Sequence, residues 1–394
     1  KAAGHTIYSG KYKVPGMPSV RALEGEGTDT LEIRLKDAAS GVSVVLYYGV
    51  FEEKNVITRA VRVVNEGEGP IRLEKLMSVT LDFKEANYDW ITLDGRHMME
   101  RHPSRSAIRN GVLSVGSTRG SSSHQHNPFV ILCEKTADED RGRCYGCSFV
   151  YSGNFLAQAE VDTYKVTRMM IGINPFGFSW CLKPGEEFQT PEAVMVYSLD
   201  GMNGMSQTFH RLYRTRLARG YWRDRERPVL LNNWEATYFD FTQETLLKIA
   251  EDAKENGVEL FVLDDGWFST RCSETSGLGD WWANKDRLPD GIKGLSEKVE
   301  ALGLKFGLWF ELEMVNKDSQ LYREHPDWII ATPGRHGSHG RKQYVLDLSR
   351  KEVVDYIYGL VAKILGEAKI SYIKWDMNRN STECFSTGFG ADHQ

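Results

Sequence analysis

The chain shows two hydrophobic periods. Up to about residue 200, short runs alternate apolar and polar positions, as in LEIRLKD, VSVVLYYGVF, VITRAVRVVNE, IRLEKLMSVTLDF and YKVTRMMIGI. Successive side chains of a strand point to opposite faces, so each run predicts a strand with one buried face. Turn clusters such as NEGEGP and KPGEE separate the runs, and the pattern predicts an all-β sandwich over residues 1–203. The stretch GMSQTFHRLYRTRLAR then places apolar residues three and four apart, predicting a helical linker over 204–228. From 229 onward strand-like and helical segments take turns: PVLLNNWEAT and TQETLLKIAEDAKENG, VELFVLDDGWF and GLSEKVEALG, LKFGLWFELEMV and DSQLYREHPDW. A short QYVLDLS precedes the helix KEVVDYIYGLVAKILGEA and the strand ISYIKWDMN. Repeated βα units with apolar strands predict a parallel sheet. No glycine-rich phosphate loop follows the first strand, which disfavours a dinucleotide fold and favours a TIM-type α/β barrel. Residues 229–394 carry four such strands, about the first half of a barrel.

Composition narrows the function classes. The net charge of −5 is spread without basic blocks, so nucleic acid is not an expected partner. Apolar runs are too short to span a membrane. Six cysteines in 394 residues do not make a disulfide scaffold, and a reducing, cytoplasmic setting is expected. The pair Cys144 and Cys147 has redox-like spacing without a second pair, and reads as two ordinary strand cysteines. His124 and His126, in the polar loop TRGSSSHQHNPF, have no ligand-rich neighbours in sequence, so no metal is expected. Ten tryptophans hint at carbohydrate, whose C–H faces stack on indoles. The first residue is Lys1, and the start of the natural chain is expected to lie upstream.

The strand ends carry the chemistry. In a parallel barrel the functional groups sit at the carboxyl ends of the strands. Here those ends read Trp234-Glu235, Asp264-Asp265-Gly266-Trp267, Trp309-Phe310-Glu311 and Lys374-Trp375-Asp376-Met377-Asn378. One such aspartate is readily a helix N-cap. Four polar ends in register are harder to explain, because buried carboxylates are costly unless paired. Alternation puts Lys374, Asp376 and Asn378 on one face, with Trp375 and Met377 toward the helices. The lysine is expected to keep Asp376 ionised. Asp264 and Asp265 are expected to accept hydrogen bonds from substrate hydroxyls, between walls made by Trp234 and Trp309. Paired carboxylates of this kind serve glycoside hydrolysis.

The stretches NNWEATYF, LDDGWF, LGDW, GLKFGLWFELEMV, LYREHPDW, GRKQYVLDLSR and YIKWDMNR resemble the α-galactosidases of glycoside hydrolase family 36 over essentially the whole chain. The resemblance implies a retaining, cofactor-free enzyme with Asp376 as nucleophile. It also implies that Asp264 and Asp265 bind galactose hydroxyls, and that Trp234, Trp309, Arg341, Lys374 and Asn378 line the sugar subsite. Leu312 stands where the family usually has proline. The family's acid/base aspartate is expected some sixty residues past the nucleophile, beyond Gln394, and Asp392 is not given that role. The expected substrate is a small oligosaccharide such as melibiose or raffinose. Transglycosylation of the raffinose-synthase kind, α-N-acetylgalactosaminidase activity and non-catalytic sugar binding remain alternatives. Homo-oligomerisation is left open.

Overall fold

The computed structural model describes residues 1–390 and divides the chain into two compact units, meeting in sequence at Asp224 and Arg225. The first unit is a sandwich, as the alternation predicts. Its larger sheet has ten antiparallel strands, including Val42–Phe51, Val56–Asn65, His126–Glu134, Cys144–Val150 and Glu192–Ser198. The smaller has four: Met77–Phe83, Thr167–Ile173, Phe155–Val161 and Gly111–Gly116. Val130, Leu132, Cys147 and Phe149 of the large sheet pack with Val79, Phe155, Ala157 and Ile171 of the small one. Their in-between neighbours Ile131, Cys133 and Cys144 point the other way, into a cluster with Met205, Phe209 and Leu212.

Those last three lie on a helix, Gly201–Leu212, continued by a wider turn over Tyr213–Leu217. The segment expected as a helical linker over 204–228 is helical only as far as Leu217, and the apolar stripe of Gly201–Leu212 covers the outer face of the large sheet. The cysteine spacing has a simple geometric outcome. Cys144 and Cys147 are an odd number of residues apart on one strand, so they face opposite cores and cannot act together. His126 opens a strand and its Nδ1 lies 2.7 Å from Asp94 Oδ1, a carboxylate partner directly across on the neighbouring strand Tyr88–Arg96.

The second unit is a four-stranded parallel sheet in chain order: Leu230–Asn232, Leu260–Leu263, Lys305–Phe310 and Tyr372–Trp375. Helices Gln243–Glu255, Gly291–Ala301 and Lys351–Glu367 run between consecutive strands. The first begins where Thr242 Oγ1 accepts the Thr245 N–H at 3.2 Å, an N-cap the sequence supplies. Phe261, Leu263, Phe306 and Leu308 are fully buried against Leu246, Leu295, Val299 and Val353. Gly307 allows close strand contact, since a Cβ there would meet Val262 Cγ2 at 2.9 Å and the Tyr372 side chain at 3.1 Å.

The segment expected as one strand over LKFGLWFELEMV is two. Lys305–Phe310 joins the parallel sheet, while Met314–Asn316 pairs antiparallel with Gln343–Val345. The two outer strands of the sheet stay open among the described residues. Leu230 is 40% exposed, and Tyr372 and Ile373 are 41% and 38% exposed. Trp375 does not face a helix as alternation suggested. It is 58% exposed, with Nε1 3.2 Å from Glu313 Oε1.

Candidate active site

All four parallel strands end on the same side, and the polar residues there form one connected set. The second strand stops at Leu263, and Gly266, at φ +98°, turns the chain immediately after the aspartate pair. Asp264 is buried. Its Oδ2 accepts Lys374 Nζ at 2.7 Å and Asn232 Nδ2 at 2.5 Å, while its backbone N–H is held by Asn233 Oδ1 at 2.8 Å. The lysine therefore pairs with Asp264. This corrects the expectation that it holds Asp376. Alternation fixes the face of the strand, but the long lysine stem carries its ammonium across the sheet to the second strand end.

Asp376 is half-buried and held by neutral donors. Its Oδ2 accepts Trp309 Nε1 at 3.1 Å and Asn378 Nδ2 at 2.8 Å, and its Oδ1 accepts the Met377 N–H at 3.0 Å. The Asp376 N–H continues the sheet ladder to Phe310 O at 2.8 Å. Among the described residues no cation pairs with this carboxylate, an arrangement that suits a nucleophile. Trp309 is itself fixed, since its carbonyl accepts Trp267 Nε1 at 2.9 Å. Trp234 stands at the exit of the first strand, its ring edge-on to Tyr238 and Phe239 at centroid distances of 5.2 and 5.1 Å.

Asp265, expected to accept substrate hydroxyls, has a protein partner on each oxygen. Arg271 clasps it with Nε on Oδ1 at 2.6 Å and Nη2 on Oδ2 at 2.7 Å, both side chains being almost fully buried. Burial pushes the Asp265 carboxyl up, and the Arg271 fork pulls it back. With both oxygens engaged, Asp265 braces the loop behind Asp264. Arg271 Nη1 also donates to Ser276 O at 2.9 Å and to Asn316 Oδ1 at 3.0 Å.

Asn316 is fully buried and uses its whole amide. Its Oδ1 also accepts the Leu278 N–H at 3.1 Å, and its Nδ2 donates to Glu274 O at 3.2 Å and Lys342 O at 2.9 Å. Two loops meet at this one side chain, that of Arg271, Glu274 and Leu278 and that of Lys342. The second carries Arg341 and Lys342, both non-glycine residues at positive φ (+52° and +62°). Arg341 Nη1 donates to Asn378 Oδ1 at 2.6 Å and Nη2 to Glu274 Oε1 at 2.8 Å.

Glu311, just past the third strand, is fully buried. Its Oε1 accepts the Asn378 N–H at 2.6 Å and its Oε2 accepts Gln343 Nε2 at 2.8 Å. Burial pushes its carboxyl up to about 6, against the pull of Asn378. The native state then holds this proton more tightly than the unfolded chain, so the associated stability is full below the ordinary glutamate range near 4.5 and is lost as pH rises through 6. The loss is about 2 kcal/mol. Denaturant unfolding at pH 4.5 and 7 is expected to show this decline in the wild type and a flatter response in Glu311→Gln. Equal pH responses would contradict it.

Residues 1–183 match the glycosyl hydrolase family 36 N-terminal domain, and residues 187–394 match Melibiase. The chain belongs to glycoside hydrolase family 36. It is 53% identical over 390 residues to alpha-galactosidase AgaA of Geobacillus stearothermophilus, covering 99% of this chain and 54% of that protein. The crystal structure of the family 36 alpha-galactosidase AgaB from the same organism superposes with a TM-score of 0.99 at 52% identity, covering 100% of this chain and 55% of that one. An AgaA variant solved in complex with raffinose superposes at 0.98, with 52% identity and coverage of 100% and 55%. The chain spans about half the length of the curated relatives it matches.

Of the residues singled out in the sequence of this family 36 chain, Asp264 and Lys374 pair with each other, and Trp309, Asp376, Asn378 and Arg341 are hydrogen-bonded in series. Sequence reasoning missed Arg271, Asn316 and Gln343. Glu311 was visible as a strand-end carboxylate but had no assigned role. Asp392 lies outside the described residues. Among the described residues no cluster of three His, Cys, Asp or Glu is placed to hold a metal, and no helix is long and apolar enough to cross a membrane.

Proposed function

We propose that the protein carrying this chain is a retaining exo-α-galactosidase acting on terminal α-linked galactose of small oligosaccharides such as melibiose and raffinose. The observation that carries the reading is Asp376. Its carboxylate is held by three neutral donors on a strand end, beside a buried aspartate already paired with a lysine. In this reading Asp376 attacks the anomeric carbon and the glycosidic C–O bond breaks. The resulting β-galactosyl ester is then hydrolysed with net retention. Asp264, Lys374 and Arg341 bind hydroxyls, and Trp234 and Trp309 wall the subsite. No described residue is assigned as proton donor to the leaving oxygen. The four parallel strands with open outer edges are read as the first half of a (β/α)8 barrel. The relatives support the substrate class, since AgaA variants were solved with raffinose and with stachyose.

The test is hydrolysis of a panel of nitrophenyl α-glycosides by the full-length protein, with the anomer of the first product followed by NMR. Cleavage of the α-galactoside with α-galactose appearing first is expected. A β-product would rule out retention, and preference for another glycoside would rule out the substrate. Asp264→Asn tests recognition. A carboxylate that accepts sugar hydroxyls discriminates by geometry, so the galactoside-to-glucoside ratio is expected to collapse together with the rate. A loss of rate with an unchanged ratio would make Asp264 a structural residue only.

A further inference from the structure

Glu311 follows the third strand directly and is fully buried, and its hydrogen bonds go to Asn378 and Gln343 rather than to Asp376. Its two oxygens are committed to groups on different segments: the Asn378 N–H at the end of the fourth strand, and the Gln343 side chain of the loop strand. The Asn378 amide is oriented from both ends, with Oδ1 accepting Arg341 and Nδ2 donating to Asp376. Gln343 Oε1 has no partner among the described residues, so only its Nε2 is satisfied, and that on Glu311. A neutral Glu311 is a poorer acceptor for both donors, and the orphaned Gln343 oxygen then gains a reason to turn toward the carboxyl proton.

Resting on the reading of Asp376 as nucleophile, we propose that ionised Glu311 is a positioning residue, which fixes Asn378 and through it aims the Asp376 carboxylate. The charged groups facing Glu311 are Asp376, which disfavours its ionisation, and Arg271, which favours it. Burial raises its carboxyl to about 6. Protonation loosens the Asn378 N–H and with it the donor on Asp376 Oδ2, so turnover falls on the acid side while hydroxyl contacts through Asp264 persist.

The test uses the full-length protein with Glu311→Gln and Gln343→Leu. Glu311→Gln is expected to lower kcat on an α-galactoside by on the order of 10²-fold, the usual scale for a misplaced reacting group, with KM little changed. It is also expected to move the acid limb of the kcat–pH profile to lower pH, leaving the limb that Asp376 itself requires. Gln343→Leu takes one donor from the carboxylate and is expected to move that limb to higher pH. A kcat loss with the limb unmoved in both variants would reduce Glu311 to a packing role and overturn the inference. Hydrogen exchange of peptides covering 376–378 gives a readout independent of substrate, and faster exchange is expected in Glu311→Gln. Unchanged exchange overturns the positioning role whatever the substrate is. Faster exchange in a protein whose wild type leaves α-galactosides intact overturns the functional reading alone.

Discussion

Asp376→Gly in the full-length protein is expected to lose on the order of 10³-fold or more in turnover, because it removes the covalent step itself. The loss should be larger than for any neighbour, since Trp309, Asn378 and the Met377 N–H all converge on this one carboxylate. The cavity left by the missing side chain gives a second reading. Azide entering on the nucleophile's face is expected to restore turnover and to yield β-galactosyl azide, the product of a single inversion. An α-azide, or retention of more than a tenth of the activity without azide, would assign the nucleophile elsewhere.

The second large effect concerns stability. Arg271→Met is expected to destabilise the second unit by about 3–5 kcal/mol, because it leaves Asp265 buried without its cation. Both side chains are nearly fully buried and joined by a two-pronged contact, so solvent cannot substitute for the guanidinium. The double variant Arg271→Met with Asp265→Leu should recover much of that loss, since an apolar pair carries no unpaired charge. Denaturant midpoints of the two singles and the double close the cycle. If the double is as unstable as the sum of the singles, the pair contributes no coupling.

What the sequence made legible follows from periodicity. The parallel strands are apolar runs such as Leu260–Leu263, and the residue just past each run falls on the functional side of the sheet. What it hid depends on the third dimension. LKFGLWFELEMV keeps alternating through Glu311, so nothing in the pattern marks the turn after Phe310 that splits it. Lys374 shares a strand face with Asp376, but side-chain reach decides its partner, and reach is not written in a period. Arg271 lies in a loop of ordinary polar composition, and Asn316 ends a three-residue strand too short to show a period. Their importance comes from burial, which leaves no local signature there.

Asn316 has a consequence for how the rim of the site moves. One amide plane ties Arg271 and the Leu278 N–H on one edge to the carbonyls of Glu274 and Lys342 on the other. Arg271, Glu274 and Leu278 belong to one loop and Lys342 to another, so the amide bridges two segments far apart in sequence. Opening either loop would strip hydrogen bonds from a fully buried amide, so the two are expected to move together, and a bulky guest would have to displace both.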